Sequence, residues 1–198
     1  AGRTVRNESI VNLPNWTLLR HRVPGDDWFR VDSTDPAAHH VELDLRRSLL
    51  TRRSTLTDTA GRVLEVTERR FVSLRDPHLL VIESTCVPRN FSGPLEIESA
   101  LDGTVTNAGV PRYSALPSDH LDHVAAEQLD DGTLVLGVRT NDSGISVTEA
   151  ARHRLSVDGV AVEAVGRAPT LDQHHRHRPG RAGPGGDRRE GRQPVHLT

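Results

Sequence analysis

The chain has 198 residues, a formal net charge of −2 and 26% charged side chains, a length sufficient for one core and a balance with no global basic excess to draw it onto nucleic acid or an anionic membrane. It contains no run of about 18 apolar residues that could cross a membrane as a helix. Its single cysteine, Cys86, cannot form an internal disulfide or a structural zinc site, and the opening Ala1-Gly-Arg-Thr4 carries no apolar leader, so a cytoplasmic protein is expected.

From Trp16 to about Ala164 the dominant signal is alternation of apolar and polar residues, the period of strands. Asn12-Leu-Pro-Asn15 reads as a turn that fixes φ ahead of a strand through Trp16. Leu43 and Leu45 alternate inward from Asp44 and Arg46. Thr59-Ala60-Gly61 separates the strand from Leu49 to Thr57 from the one running from Arg62 to Ser73. Leu79 to Val87 is rich in branched residues and reads as a strand buried on both faces near its start. Cys86 within it reads as a small buried hydrophobe rather than a nucleophile.

Asn90-Phe-Ser-Gly93 makes a turn into a strand whose Leu95, Ile97, Ser99 and Leu101 point one way and whose Glu96 and Glu98 point the other, toward solvent. Asp102-Gly103, Asp131-Gly132 and Asp158-Gly159 are expected to supply the positive φ of tight hairpins. Pro111 to Asp131 reads as a long loop holding one strand or a short helix. Leu134, Leu136 and Val138 alternate with Thr133, Val135 and Gly137, and Ile145 with Val147 repeats the pattern. Many short strands at this spacing predict an all-β fold, an antiparallel sandwich or barrel, over residues 1–166.

The composition changes after about Arg167. From Gln173 to Thr198 the only apolar residues are Ala182, Val195 and Leu197, too few to offset the entropy of ordering, so residues 167–198 are expected to be a disordered basic tail. The chain has no lysine and no methionine, the signature of a GC-rich gene. Permitted codons for Asp187 to Thr198, read one base later, encode Thr-Val-Glu-Lys-Val-Val-Ser-Leu-Phe-Thr-Ser, which has the strand alternation the printed tail lacks. The favoured reading is an out-of-frame translation from near Gln173, ahead of a metal-capturing run at His174, His175 and His177 or a nucleic-acid arm.

No P-loop, GxGxxG, HExxH or paired CxxC occurs. Glu8, Asp26, Asp27, Glu42, Asp44, Glu96 and Glu98 could in principle supply a glycosidase pair, but they read as charges on solvent faces. His39-His40 and His120 with His123 read as solvated loop histidines, lacking acidic or cysteine partners at ligand spacing. The four sequons, at Asn7, Asn15, Asn90 and Asn141, read as chance. Trp28-Phe29, after Gly25-Asp26-Asp27, is the best candidate for a sugar platform, with core or hinge packing as the favoured role.

Four stretches in this order carry a family resemblance: Glu8-Ser-Ile-Val-Asn-Leu-Pro-Asn-Trp16, Glu42-Leu-Asp-Leu-Arg-Arg-Ser-Leu-Leu-Thr-Arg52, Arg69-Arg-Phe-Val-Ser-Leu-Arg-Asp-Pro-His-Leu79, and Asn90-Phe-Ser-Gly-Pro-Leu-Glu-Ile-Glu-Ser-Ala-Leu-Asp-Gly-Thr-Val-Thr-Asn-Ala-Gly-Val-Pro-Arg-Tyr113. Together, over about Arg6 to Leu155, the chain resembles the N-terminal domain of glycoside hydrolase family 65, which includes trehalose, maltose and kojibiose phosphorylases. Ser48 departs from the pattern where the family favours glycine, and Arg75 stands where a small residue is usual; Ser48 would be strained if its φ is positive.

The resemblance implies a two-sheet antiparallel β-sandwich of the galactose-mutarotase-like supersandwich type. A helical linker and an (α/α)6 barrel would follow it, the barrel carrying the general acid and the phosphate pocket. It implies an enzyme that cleaves an α-linked glucose disaccharide with inorganic phosphate as co-substrate, or hydrolyses it, and in which this domain packs on the barrel and contributes to a homodimer. No catalytic, cofactor-binding or metal-binding residue is carried onto this chain, no cofactor is expected, and the fragment alone is expected to be inactive. The alternatives are a stand-alone carbohydrate-binding module and a purely structural dimerisation domain.

Overall fold

Where turn residues bracket an alternating run, a strand forms. The computed structural model describes residues 10–32, 34–107, 118–162, 166–167 and 196–197. Among these, apart from one 3-10 turn at Pro36–Ala38, every regular element is a strand: β1 (Asn15–Arg22), β2 (Arg30–Val31), β3 (His39–Asp44), β4 (Leu49–Thr57), β5 (Val63–Val72), β6 (Leu80–Pro88), β7 (Glu96–Asp102), β8 (Leu121–Gln128), β9 (Leu134–Thr140), β10 (Ser146–Ala151), β11 (Leu155–Val157), β12 (Val160–Val162), β13 (Gly166–Arg167) and β14 (His196–Leu197). No helix among them is long and apolar enough to cross a membrane. The all-β, antiparallel class expected from the sequence is what the chain adopts.

Two units are distinguishable, one of residues 19–98 and one of residues 1–18 with 99–197, and β1 and β7 run through both. In the first, β2, β4, β5 and β6 lie in that order in one antiparallel sheet, with β3 also pairing with β4. The register sets Leu56 opposite Leu64, and Val66 opposite Ser54 on one side and Cys86 on the other. Since directly opposed residues share a face, this row becomes the core: buried Phe29, Leu64 and Val66, with Val23, Leu56, Cys86, Phe91 and Leu95 packed around them. Phe29 stacks on Phe91 with ring centroids 5.6 Å apart.

In the second unit β9 lies between β8 and β10, β11 pairs with β12, and β13 and β14 extend the sheet that contains β1 and β7. Leu134, Leu136 and Val138 of β9 are buried, as their alternation predicts.

Turn chemistry agrees with the sequence at most positions. The β4–β5 hairpin turns at Gly61 (φ 76°), and Asp158-Gly159 takes φ of 50° and 80° between β11 and β12. Ser48, in the β3–β4 turn, has φ 52°, the strained geometry anticipated for a residue standing where glycine is favoured. Gly103 is different. Its φ is not positive; a Cβ there would lie 2.9 Å from His123 Cε1 and 3.3 Å from Leu136 Cδ2, so close approach, not turn conformation, requires the missing side chain.

Several expectations are corrected. β6 is not buried on both faces near its start: among the described residues it is the edge strand of its sheet, with Leu79 and Leu80 exposed. Leu43 and Leu45 are exposed as well, although Leu43 faces Leu50 in register. Within Pro111 to Asp131, read as a long loop holding one strand or a short helix, residues 121–128 do form one strand, β8, with a register shift between His123 and Ala125. The tail over 167–198, expected to be disordered and read as out of frame from near Gln173, lies outside the described residues except at Arg167 and His196–Leu197; Gly166–Arg167 pairs antiparallel with His196–Leu197.

Candidate functional site

The densest polar arrangement starts from the alternation Arg20-His21-Arg22 at the end of β1 and Glu96-Ile97-Glu98 at the start of β7. These strands are neighbours, and the two arginines meet the two glutamates on one face. Arg22 Nε donates to Glu96 Oε2 at 2.8 Å and Nη2 to Oε1 at 2.7 Å, a two-point fork. Arg20 donates to Glu98 Oε2 through Nε at 2.8 Å and also through Nη2. Each guanidinium carbon lies 4.5 Å from the centroid of the Trp28 ring. Leu95 does point into the core and the glutamates away from it, as the alternation predicts, yet both glutamates are buried by their arginines rather than solvated.

Trp28 and Phe29 therefore have separate duties. Phe29 is core, its backbone N–H donating to His21 O at 2.9 Å, and half-buried Trp28 lies over the paired guanidiniums.

His21 points to the opposite face and is buried. Burial pushes its imidazole down to about 4, with attraction from Glu68 of β5 acting in the other direction. Glu68 pairs with Arg70 and lies 3.8 Å from Arg52. The remaining singled-out carboxylates are also engaged. Asp26 and Asp58 both bind Arg62, whose backbone and guanidinium hydrogen bonds hold the Asp58 carboxyl below its usual range despite the opposing desolvation. Thr59 Oγ1 donates to Asp27, Glu42 lies 3.6 Å from Arg53, and Asp44 accepts from the amides of Arg46 and Arg47. Glu8 lies outside the described residues.

Glycoside cleavage by a carboxyl pair needs one protonated acid and one free carboxylate flanking a sugar. Glu96 and Glu98 instead accept from guanidiniums beneath an indole. The depression bounded by Ala37, His40, Arg53, Thr55, Glu65 and Thr67 is an open hollow of about 260 Å³, with Arg53 near Glu42 and Glu65 bound to Arg89.

The histidines are dispersed. His39 Nδ1 shares a 2.8 Å hydrogen bond with Ser54 Oγ, and His153 Nε2 shares one of 2.8 Å with Ser99 Oγ. His120 is buried rather than solvated, its two ring nitrogens resting on the carbonyl oxygens of Asn12 (2.6 Å) and Ser118 (3.0 Å). Among the described residues no group of three His, Cys, Asp or Glu side chains is placed to hold a metal ion. Cys86 packs beside the core, where burial raises its thiol to about 11. The sequence carried a signal for the Arg–Glu forks in the two i, i+2 pairs, but only the adjacency of β1 and β7 couples them.

The profile "Glycosyl hydrolase family 65, N-terminal domain" matches residues 1–180. The chain is 42% identical over 163 residues to an uncharacterized glycosyl hydrolase of Mycobacterium tuberculosis, covering 82% of this chain and 12% of that protein. It is 27% identical over 147 residues to the kojibiose phosphorylase of Caldanaerobacter subterraneus subsp. tengcongensis, covering 74% of this chain and 18% of that protein. With the alpha,alpha-trehalose phosphorylase of Thermoanaerobacter brockii it shares 38% identity over 100 residues, 50% of this chain and 13% of that protein. The chain thus spans less than a fifth of the length of each of these relatives, and it belongs to glycosyl hydrolase family 65, as a member of its N-terminal domain family.

Proposed function

We propose that this chain is the accessory, non-catalytic N-terminal domain of an enzyme that cleaves an α-linked glucose disaccharide such as kojibiose, trehalose or maltose with inorganic phosphate. The observation that carries the reading is the family match over residues 1–180, together with relatives that are kojibiose and trehalose phosphorylases. The commitment of Glu96 and Glu98 to arginine supports a structural role for these two carboxylates. In this reading the domain packs against a separate catalytic part of the same polypeptide and helps shape the edge of its pocket, and the whole enzyme is a homodimer. A phosphorolytic product, a sugar phosphate, is of use where it can be metabolised, which favours a cytoplasmic enzyme in this reading.

The test is an assay with kojibiose, trehalose and maltose, each with and without inorganic phosphate, on the 198-residue chain and on the full-length gene product. Phosphate-dependent release of glucose phosphate by the full-length protein alone is the expected result. Turnover by the 198-residue chain would overturn the accessory role, and phosphate-independent release of glucose by the full-length protein would replace phosphorolysis with hydrolysis.

A further inference from the structure

We propose that His120 is a proton-dependent clasp: only as the imidazolium does it hold the carbonyl oxygens of Asn12 and Ser118 together, and loss of its proton loosens the chain ahead of β1. The proposal is independent of the enzymatic reading, because it concerns one contact inside this domain.

The chemistry follows from the partners. His120 Nε2 lies 2.6 Å from Asn12 O, and Nδ1 lies 3.0 Å from Ser118 O. A carbonyl oxygen accepts and never donates, so each ring nitrogen must carry a hydrogen for both contacts to be bonds. Neutral imidazole has a single N–H in either tautomer, and would aim a lone pair at one of the two oxygens at hydrogen-bond distance. Turning the ring over sets C–H groups against both oxygens and loses both bonds. Because His120 is buried, solvent does not relieve either mismatch.

What the ring holds extends beyond two oxygens. Asn12 Nδ2 donates to Thr106 O at 3.0 Å, and its backbone N–H donates to Asn107 Oδ1 at 2.8 Å. The Asn107 amide donates to Ser118 O at 3.0 Å, and that of Asn141 donates to His120 O at 3.1 Å. Asn141 Nδ2 donates to Asp119 O at 3.2 Å. The chain ahead of β1, the chain beyond β7, the approach to β8 and the β9–β10 turn therefore converge on one imidazole. Every other group in these bonds is an uncharged amide or carbonyl, so the ring is their one titratable member. The charged or titratable side chains beside them in the chain or in register are Asp119, Asp122, His123, Arg139 and Asp142. All five residues are exposed, where solvent screens their effect on the ring.

The sign is fixed by this arrangement. The closed clasp requires the proton and the open one does not, so closure is favoured at low pH and lost as pH rises through the titration of the ring. The test is hydrogen exchange of the full-length gene product, read by peptide mass from about pH 5 to about pH 8.5. With the intrinsic pH dependence of exchange divided out, protection of the Asn12, Asn107 and Asn141 amides should fall about tenfold as pH rises, while the middle of β9 keeps its protection. His120→Gln, which cannot titrate, should show low protection at these amides throughout. Protection that stays flat or rises with pH overturns the proposal, and so does a fall that persists in His120→Gln, which would assign it to another group. Should the variant not fold, the wild-type profile alone decides, since His21 acts in the opposite sense and cannot mimic the fall.

Discussion

Glu98 has no exposed side-chain surface to speak of, and its Oε2 accepts from Arg20 Nε at 2.8 Å across the β1–β7 boundary, under Trp28. A buried carboxylate is costly to strip of its bound guanidinium, even with Arg22 nearby, because the remaining charge keeps its desolvation penalty. Arg20→Ala is expected to lose about 3 kcal/mol of unfolding free energy, more than Glu98→Gln, which keeps an acceptor for the guanidinium. Urea unfolding of the variants measures this; equal losses would show that removal of the ion pair itself, not the orphaned carboxylate, sets the cost.

Acidification should weaken the fold through His21. Its folded value of about 4 lies below the ordinary 6.5, so the unfolded chain binds the extra proton first. The neutral ring is fully compatible with folding above pH 6.5, and stability falls as pH drops from there toward 4, by up to about 3 kcal/mol. Glu68 faces this ring and limits the loss by attracting the imidazolium. In melting curves between pH 7 and pH 4.5, His21→Gln should flatten the dependence, and an unchanged slope would place the acid sensitivity elsewhere.

Glu149 of β10 stands opposite Leu136, and partial burial raises its carboxyl. A raised folded value means that the folded state holds the proton more tightly than the unfolded one, so this group opposes folding once ionised and the penalty disappears on acidification. Glu149→Gln is expected to raise the melting temperature at pH 7.5 and to do little at pH 4.

Ser48→Gly relieves a left-handed backbone at φ 52°. Set against the greater flexibility of glycine in the unfolded chain, the net gain should be up to about 1 kcal/mol, read as a higher urea midpoint with unchanged steepness.

Gly103→Ala should cost on the order of 1 kcal/mol, since its Cβ would crowd the His123 ring at 2.9 Å and Leu136 at 3.3 Å. His123→Ala in the same protein should recover most of that loss. Failure to recover it would identify Leu136 as the rigid wall.

Much of this fold was legible along the chain. The β4–β5 hairpin was bracketed by Thr59-Ala60-Gly61, and β9 showed itself in Leu134, Leu136 and Val138, because alternation and turn chemistry are local properties of the backbone. The strain at Ser48 was legible through the family resemblance, which supplied the expectation of glycine there. Burial was not local. Glu96 and Glu98 look like solvent charges until β1 brings Arg20 and Arg22 beside them, and Leu43, Leu45 and Leu79 look like core although among the described residues they stand exposed. His120 reads as a loop residue until Asn12, far away in sequence, supplies a carbonyl. The sequence by itself determined strand period, turns and family; the tertiary structure alone decided which faces are covered, because a side chain's exposure depends on what distant strands place against it.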